Sequence, residues 1–333
     1  MQDLIERLES LVADSGRELV KLIKEHKETT LLSLAEEIQR RLHDPVIEFC
    51  AIVNAKCGNC PNDCAFCAQS RVSTHPISVW PFRDPEVLLM AARAAEANGA
   101  HRFSIVTSGT KLSRKELLLA CEAISLIRSK TNLLPCASLG KIDKEDALLL
   151  KEAGLVRYHH NLETNKDFYP RICSTRTYEQ KLATIAIAKE AGLEICVGGI
   201  LGLGESLIDR VKLALELRAI EPESVPINFL DPRPGTPLED QPLLPADEAL
   251  VSLAIFRIAM PYTTLRLAGG RAKVLGEHQP EAIKMSVNGL MIGDYLVTKG
   301  PSVEKDHHLI ASLGLTPSLI GRSSTEQILQ AGG

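Results

Sequence analysis

The sequence predicts an α/β fold, a (β/α)8 TIM-type barrel preceded by an N-terminal helical extension. Short apolar runs recur eight times between residues 48 and 294, and a helical pattern follows most of them. The helices carry their own start and stop signals, which support the alternation independently of the apolar runs. A doubly wound open sheet has the same alternation and remains the alternative.

The strand candidates are apolar runs of strand length, separated by segments with a helical pattern. They are EFCAIVN (48–54), HRFSIVT (101–107), LLPCASL (133–139), VRYHHNL (156–162), EICVGGI (194–200), VPINFL (225–230), TLRLAG (264–269) and GLMIGD (289–294). Each run is expected to form one parallel strand of the barrel wall.

Local signals mark the ends of several predicted helices. Residues 84–86 (Asp-Pro-Glu) place an N-cap before a first-turn proline, and residues 113–116 and 177–180 have the capping-box pattern. Two helices end in KEAG, where Gly154 and Gly192 supply the left-handed C-terminal cap. The chain thus divides into a helical extension over 1–44 (LIERLESLV and SLAEEIQRRLH), a barrel over 45–300 and a C-terminal segment over 301–333.

Charge and composition narrow the functional class. The chain has 333 residues and a net charge of −4, without a block of like charge that would indicate a nucleic-acid or membrane-surface partner. A signal-peptide pattern and an apolar run of about 18 residues, the length of a membrane helix, are both missing from the sequence, so the expected location is the cytoplasm. In a reducing compartment, the nine cysteines indicate metal binding or catalysis rather than disulfides.

One face of the predicted strands is polar, whereas a filled barrel interior would carry branched apolar residues. Because strand side chains alternate between faces, this set is expected to line the lumen, and the apolar face to lie beneath the helices. Buried polar groups need partners, so a polar lumen predicts water, metal or ligand inside the barrel, unless some strands are phased wrongly. The polar set comprises Arg102, Ser104, Cys136, Ser138, His159, Asn161, Cys196, Gly198, Asn228, Thr264 and Arg266.

A C-x3-C-x2-C motif follows the first strand and consists of Cys60, Cys64 and Cys67. Three thiolates can ligate three irons of a cubane cluster and leave the fourth iron open for chemistry. A zinc site would want four ligands; Cys57 offers a fourth, but a second cysteine or histidine pair at finger spacing does not follow it.

The motif spacing, with the aromatic Phe66 before the third cysteine, resembles the radical S-adenosylmethionine superfamily. The wider segment NAKCGNCPNDCAFCAQS resembles its biotin synthase family. Further blocks appear in family order across about residues 45–300. They are YHHNLET (158–164), STRTYEQKL (174–182), CVGGILGLGE (196–205), SVPINFL (224–230), GTPLE (235–239) and LRLAGGR (265–271).

The resemblance implies a specific reaction. In that family, a 4Fe–4S cluster on the three cysteines binds S-adenosylmethionine and reduces it to a 5′-deoxyadenosyl radical. The radical abstracts hydrogen from dethiobiotin, and an auxiliary cluster deeper in the barrel supplies the sulfur that closes the biotin ring. The implied partners are a flavodoxin- or ferredoxin-type electron donor and a second copy of the chain in a homodimer.

The resemblance also assigns residues. Those implied to contact S-adenosylmethionine are Phe66, Asn161, Glu163, Gly199, Ile200 and Glu205, the last three from the G-x-I-x-G-x-x-E pattern. Glycine there is expected to let the backbone approach the adenine ring, with Ile200 packed on it. Glu163 replaces the family's more usual Asp, and His159 stands where Asn is common. His159, Asn161 and Asn228 are implied to bind the substrate, with Asn228 on its ureido ring.

The sequence departs from the family at the auxiliary cluster, which in well-known members is 2Fe–2S held by three cysteines and an arginine. Cys136, Cys196 and Arg266 match three of those positions, but Ser104 occupies the fourth, and a hydroxyl is a poor iron ligand. Cys57, where relatives have Ser or Thr, is the predicted replacement, and a 4Fe–4S type becomes possible. Cys173 is the competing candidate for this replacement. Cys121 is expected to be a small residue of the hydrophobic core, and the role of Cys50 is left open.

Two other functions compete with this reading. One is another radical enzyme of the same branch, such as the hydrogenase-maturation or pyrrolysine-pathway relatives, which would not need Cys136, Cys196 and Arg266 in one lumen. The other is a non-catalytic iron–sulfur scaffold or electron carrier, which would want all four irons ligated.

Overall fold

Parallel strands close into a barrel in the computed structural model, which describes residues 28–320. The wall within this range is formed by β1 (Val46–Lys56), β2 (Arg102–Thr107), β3 (Leu134–Ser138), β4 (Arg157–His159), β5 (Glu194–Cys196), β6 (Gly199–Leu201), β7 (Ser224–Phe229), β8 (Thr264–Leu267) and β9 (Gly289–Met291). The segments β5 and β6 together occupy one strand position of the wall, since both pair with β7.

Closure of the sheet decides between the two predicted architectures. Strand β1 pairs in parallel with β2 on one side and with β9 on the other, so the eight strand positions form a ring. An open doubly wound sheet would leave both edge strands unpaired. The predicted (β/α)8 barrel is therefore confirmed, with every predicted apolar run contributing a strand.

Helices follow the strands and cover the wall. They are α1 (Glu28–Leu42), α2 (Pro85–Ala97), α3 (Arg114–Lys130), α4 (Lys144–Glu152), α5 (Tyr178–Glu190), α6 (Leu207–Ile220), α7 (Ala246–Ala259), α8 (Arg271–Val274), α9 (Gln279–Ser286) and α10 (Val303–Ser312), and the short β10 (Thr316–Pro317) pairs with β1. Capping boxes are present at 113–116 and 177–180 as predicted, and Gly154 and Gly192 have positive φ.

The two faces of the strands separate as the alternation predicts. The outward apolar side chains, including Phe103, Ile105, Ile195 and Ile227, are at most 1% exposed beneath the helices. The inward face is polar and surrounds a cavity. The apolar side chains are therefore buried between the strands and the helices, and the lumen is left free for a site.

The segments flanking the barrel pack onto it. Within the predicted extension, α1 buries Leu31, Ala35 and Ile38 and packs against α7 and α9. The predicted helix LIERLESLV and residues 321–333 lie outside the described residues. At the other end, Arg271 on α8 binds Asp306 on α10 at 2.6 Å, which ties the C-terminal segment to the barrel.

Candidate active site

A cavity of about 1000 Å³ occupies the barrel, a volume at the upper end of small-molecule sites. Its wall joins the cysteine motif after β1 to polar residues of the strands themselves. Nine of the residues predicted to face the lumen line it: Arg102, Ser104, Cys136, Ser138, His159, Asn161, Cys196, Asn228 and Arg266.

Gly198 and Thr264 were also predicted to line the lumen, and the structure corrects both. A Cβ on Gly198 would stand 1.9 Å from the Pro226 carbonyl oxygen, so this position faces the β7 backbone rather than the cavity. Thr264 begins β8, one inward position before Arg266, and does not reach the cavity wall.

The three motif cysteines share the rim of the cavity. Cys60, Cys64 and Cys67 all line it, and the Cys67 amide donates to the Cys64 carbonyl at 3.1 Å. Asp63 between them anchors the loop, because its carboxylate accepts hydrogen bonds from the Ser174 and Thr175 amides at 3.0 and 3.1 Å. The loop is thus held in place by the segment after β4.

The rim thiols suit a cluster better than a single ion. Among residues 28–320, no three His, Cys, Asp or Glu side chains converge tightly enough to hold one metal ion. A cubane needs a wider set, since each thiolate binds a different iron. Burial raises the pKa of the Cys67 thiol to about 11, so iron binding would displace its proton.

The predicted cofactor residues fall into two groups. Phe66, Asn161, Glu163 and Ile200 line the cavity beside the rim cysteines. Glu163 has φ +74°, and its carboxylate lies 3.5 Å from Nζ of the buried Lys181. This group presents an apolar surface, an amide and a carboxylate at one place in the wall.

Gly199 and Glu205, the other two residues expected to contact the cofactor, are not part of that wall. A Cβ on Gly199 would stand 2.5 Å from the Glu163 carbonyl oxygen, so glycine is needed for the approach of two backbone segments. Glu205 accepts from the Gly202 amide at 2.8 Å and from Nε of Arg210 at 2.7 Å. It therefore holds the turn that positions Ile200.

His159 and Asn228 line the cavity as predicted for substrate residues. The Asn228 Oδ1 accepts from the Gly269 amide at 3.0 Å, and its Nδ2 donates to the Gly199 carbonyl at 3.2 Å. One N–H and one lone pair of this amide stay available to a ligand. Burial lowers the pKa of His159 to about 4, so its imidazole is neutral at pH 7.

A buried ion network closes the floor of the cavity. Glu48, 1% exposed, contacts Arg102 at 3.0 Å and Arg157 at 3.8 Å and pairs with Arg266. Glu194 contacts Arg102 at 3.3 Å and Arg157 at 2.8 Å. Three guanidinium groups against two carboxylates leave one excess positive charge, which favours an anionic occupant.

Three thiols lie around this floor. Cys136 and Cys196 line the cavity as predicted, and so does Cys50 on β1, which the sequence left open. The alternation that was applied to the later strands would have found Cys50, because it shares a face with Glu48 and Ile52. The floor carboxylate Glu48 was missed for the same reason, and Arg157 was missed because the alternation on β4 was not extended back beyond His159.

The structure does not bring Cys57 to this floor. Its backbone forms a bridge with Trp80, with hydrogen bonds of 3.1 and 3.2 Å, and its buried side chain is not part of the cavity wall. The register of β1 shifts between Asn54 and Lys56, which ends the inward alternation before Cys57. This placement corrects the prediction that Cys57 joins Cys136 and Cys196.

Cys173, the competing candidate, lies at the rim instead. Its Sγ is 3.7 Å from Sγ of Cys64, and the Asp63 carboxylate is 3.4 Å away. The neighbouring thiol and burial together raise the pKa of Cys64. Cys121 packs against the core on α3 as predicted, away from the cavity.

A closed parallel barrel with three cysteines at the rim of a polar lumen defines the radical S-adenosylmethionine class. The Radical SAM superfamily profile matches residues 56–217, and that of the Biotin and Thiamin Synthesis associated domain matches residues 226–316.

Individual relatives give the family. The chain is 43% identical over 308 residues to the biotin synthase of Acetivibrio thermocellus, covering 91% of this chain and 96% of that protein. It is 42% identical over 316 residues to the biotin synthase of Pelotomaculum thermopropionicum, covering 94% of this chain and 98% of that protein. The chain belongs to the biotin synthase family.

Solved structures share the fold at much lower identity. Methylornithine synthase superposes with a TM-score of 0.76 at 16% identity, covering 96% of this chain and 99% of that one. The FeFe-hydrogenase maturase HydG from Carboxydothermus hydrogenoformans superposes with a TM-score of 0.76 at 18% identity, covering 96% of this chain and 83% of that one. At such identities the likeness shows the fold alone. None of the helices within 28–320 is long and apolar enough to cross a membrane.

Proposed function

We propose that this chain inserts sulfur into dethiobiotin to form biotin, using radicals from S-adenosylmethionine. The observation that carries the proposal is one cavity that connects three rim cysteines to a second set of thiols at its floor. A cavity serving S-adenosylmethionine cleavage alone would not need thiols at both ends. The relatives named biotin synthase match this chain along almost its whole length.

The rim cysteines Cys60, Cys64 and Cys67 would hold the 4Fe–4S cluster. When bound, that cluster supplies the electron that cleaves S-adenosylmethionine at its open iron. The protein's part is positioning: Glu163 offers a carboxylate to the ribose hydroxyls, Asn161 offers an amide to the methionyl group, and Phe66 and Ile200 offer apolar surface to the adenine.

Dethiobiotin would bind between rim and floor. Its ureido ring needs a donor and an acceptor, and the Asn228 amide has one of each left after its backbone hydrogen bonds. The neutral His159 adds a hydrogen-bonding group without a charge that would have to be desolvated. Closure of the floor by the Glu48 network keeps water out from below.

The floor would hold the auxiliary cluster, which supplies sulfur to the substrate. The residues present fit such a group in two ways. Cys136 is a buried thiol and Cys196 a half-buried one, and the Ser104 Oγ is buried without a hydrogen-bond partner among the described residues. Arg266 adds positive charge beside them.

The remaining assignments follow from this function. An electron donor of flavodoxin or ferredoxin type would reduce the rim cluster, and the reducing cytoplasm would preserve free thiols. We also propose that the chain forms a homodimer. We propose that residues 45–300 form the barrel domain. Native mass spectrometry of the purified chain tests the dimer, and pull-down of each reduced donor class tests the electron source.

The experiment for the reaction is an anaerobic assay with reconstituted protein, S-adenosylmethionine and dithionite, with and without dethiobiotin. We expect 5′-deoxyadenosine and biotin together, both detected by mass spectrometry. Formation of 5′-deoxyadenosine without biotin would favour another radical enzyme, and formation of neither would favour a scaffold or carrier.

A further inference from the structure

We propose that Cys50 is a ligand of the auxiliary cluster and forms its thiolate set with Cys136 and Cys196. Arg266 is then a charged neighbour of the cluster rather than an iron ligand. This inference rests on the proposed function for the identity of the cluster. The ligand set itself depends only on the residues at the cavity floor.

The three thiols occupy alternate strands of the same part of the wall. Cys50 is on β1, Cys136 on β3 and Cys196 on β5, and all three line the cavity. In the β1–β2 ladder Cys50 stands opposite Arg102, and in the β2–β3 ladder Ser104 stands opposite Cys136. Each thiol is close enough to the other two for their charges to interact.

Arg266 is already engaged. Its Nη1 donates to the Glu48 carbonyl oxygen at 2.8 Å, and its Nη2 pairs with the Glu48 carboxylate. Binding iron would require this guanidinium to surrender a proton and give up one of those contacts. The family resemblance implies an arginine ligand, but here both terminal nitrogens of Arg266 are occupied by Glu48. The side chain is therefore suited to neutralise thiolate charge, not to replace a thiolate.

Ser104 supplies an independent sign that this place receives a ligand. Its side chain is 5% exposed and lines the cavity on β2, the strand between those of Cys50 and Cys136. Its Oγ has no hydrogen-bond partner within residues 28–320. A buried hydroxyl without a partner is costly unless a bound group satisfies it. A cluster sulfur can accept that hydrogen bond, while iron prefers the neighbouring thiolates.

The ligand count favours a cubane at the floor. A 2Fe–2S cluster takes four protein ligands, whereas three thiolates suffice for a cubane with one open iron, as at the rim. With Arg266 engaged and a serine on β2, three thiolates are what this floor offers. We therefore expect about eight iron atoms per chain, two cubanes, rather than about six.

The test isolates the floor by replacing the rim cysteines with Cys60→Ala, Cys64→Ala and Cys67→Ala together. Iron, sulfide and Mössbauer spectra of the reconstituted full-length protein then report the auxiliary cluster alone. We expect about four irons per chain in this background and near-complete loss on adding Cys50→Ser. Adding Cys57→Ser or Cys121→Ser should leave the iron count unchanged.

Retention of the full iron count in Cys50→Ser would overturn the proposal, as would loss in Cys57→Ser. Cys50→Ala is made in parallel, with circular dichroism as the folding check. Unfolding of both Cys50 variants would also contradict it, because a side chain facing a hollow lumen is not needed for packing. If wild-type protein makes no biotin but its floor iron depends on Cys50, the proposed function fails and the ligand set stands.

Discussion

Single residues at the two ends of the cavity have separable tasks. The rim cysteines all come from one loop, which Asp63 holds against the segment after β4. The floor thiols come from three different strands and converge only through barrel closure. Loss of one rim thiolate should therefore abolish S-adenosylmethionine cleavage without changing the barrel.

Cys60→Ala tests this at the rim. Two thiolates are too few to hold the cubane, so we expect 5′-deoxyadenosine formation to fall to background. Chromatographic quantification of 5′-deoxyadenosine measures it, with Cys121→Ser as the control because that residue lies away from the cavity. Near-normal cleavage by Cys60→Ala would defeat the assignment of the rim.

Asn228→Ala tests the substrate wall. The change removes the amide group left for the ureido ring, a loss of about 1–3 kcal/mol or roughly tenfold or more in affinity. Dethiobiotin affinity should weaken by that factor while S-adenosylmethionine affinity stays within about twofold. Equal weakening of both would mean that Asn228 acts only through its bonds to Gly199 and Gly269.

At the scale of elements, the sequence predicted each strand of the barrel wall because apolar runs and capping signals are local. The same signals left the role of Cys50 open, since the inward phase of β1 was not followed back from the cysteine loop. They also gave no sign of the backbone contact between the segment after β4 and β6 that requires glycine at Gly199. Such a contact depends on closure of the barrel, which no local pattern encodes.

Gly198→Ala tests a second close backbone approach, between Gly198 and β7. The added Cβ would meet the Pro226 carbonyl oxygen at 1.9 Å, and backbone cannot yield as a flexible side chain does. We expect the free energy of unfolding to fall by more than about 3 kcal/mol in urea titrations. Gly314→Ala is the control: it has φ +70° but no atom within 4 Å, so about 1–2 kcal/mol is expected. Equal losses would refute the contact.

For the whole molecule, the floor network links stability to pH. Burial alone would raise the pKa of Glu48, but Arg266, Arg102 and Arg157 outweigh it and lower the pKa to about 2. The pKa of a glutamate in the unfolded chain is about 4.3. The stabilisation that the ion network gives the folded state is therefore complete above a pH of about 4.3 and is lost as the pH falls toward 2.

Unfolding measured between pH 6 and pH 2 checks this linkage. The free energy of unfolding should decline as the pH drops below about 4, and Glu48→Gln should be less stable at pH 6 and show a shallower decline. A Glu48→Gln profile parallel to that of the wild type would contradict the role of the ion network.

The central claim is that one lumen joins radical generation at the rim to a sulfur source at the floor. Its most direct test is to reconstitute the protein with isotopically labelled sulfide, remove free sulfide, and add S-adenosylmethionine, dithionite and dethiobiotin without oxygen. We predict biotin that carries the label, measured by mass spectrometry together with 5′-deoxyadenosine. Abundant 5′-deoxyadenosine without labelled biotin would contradict the claim.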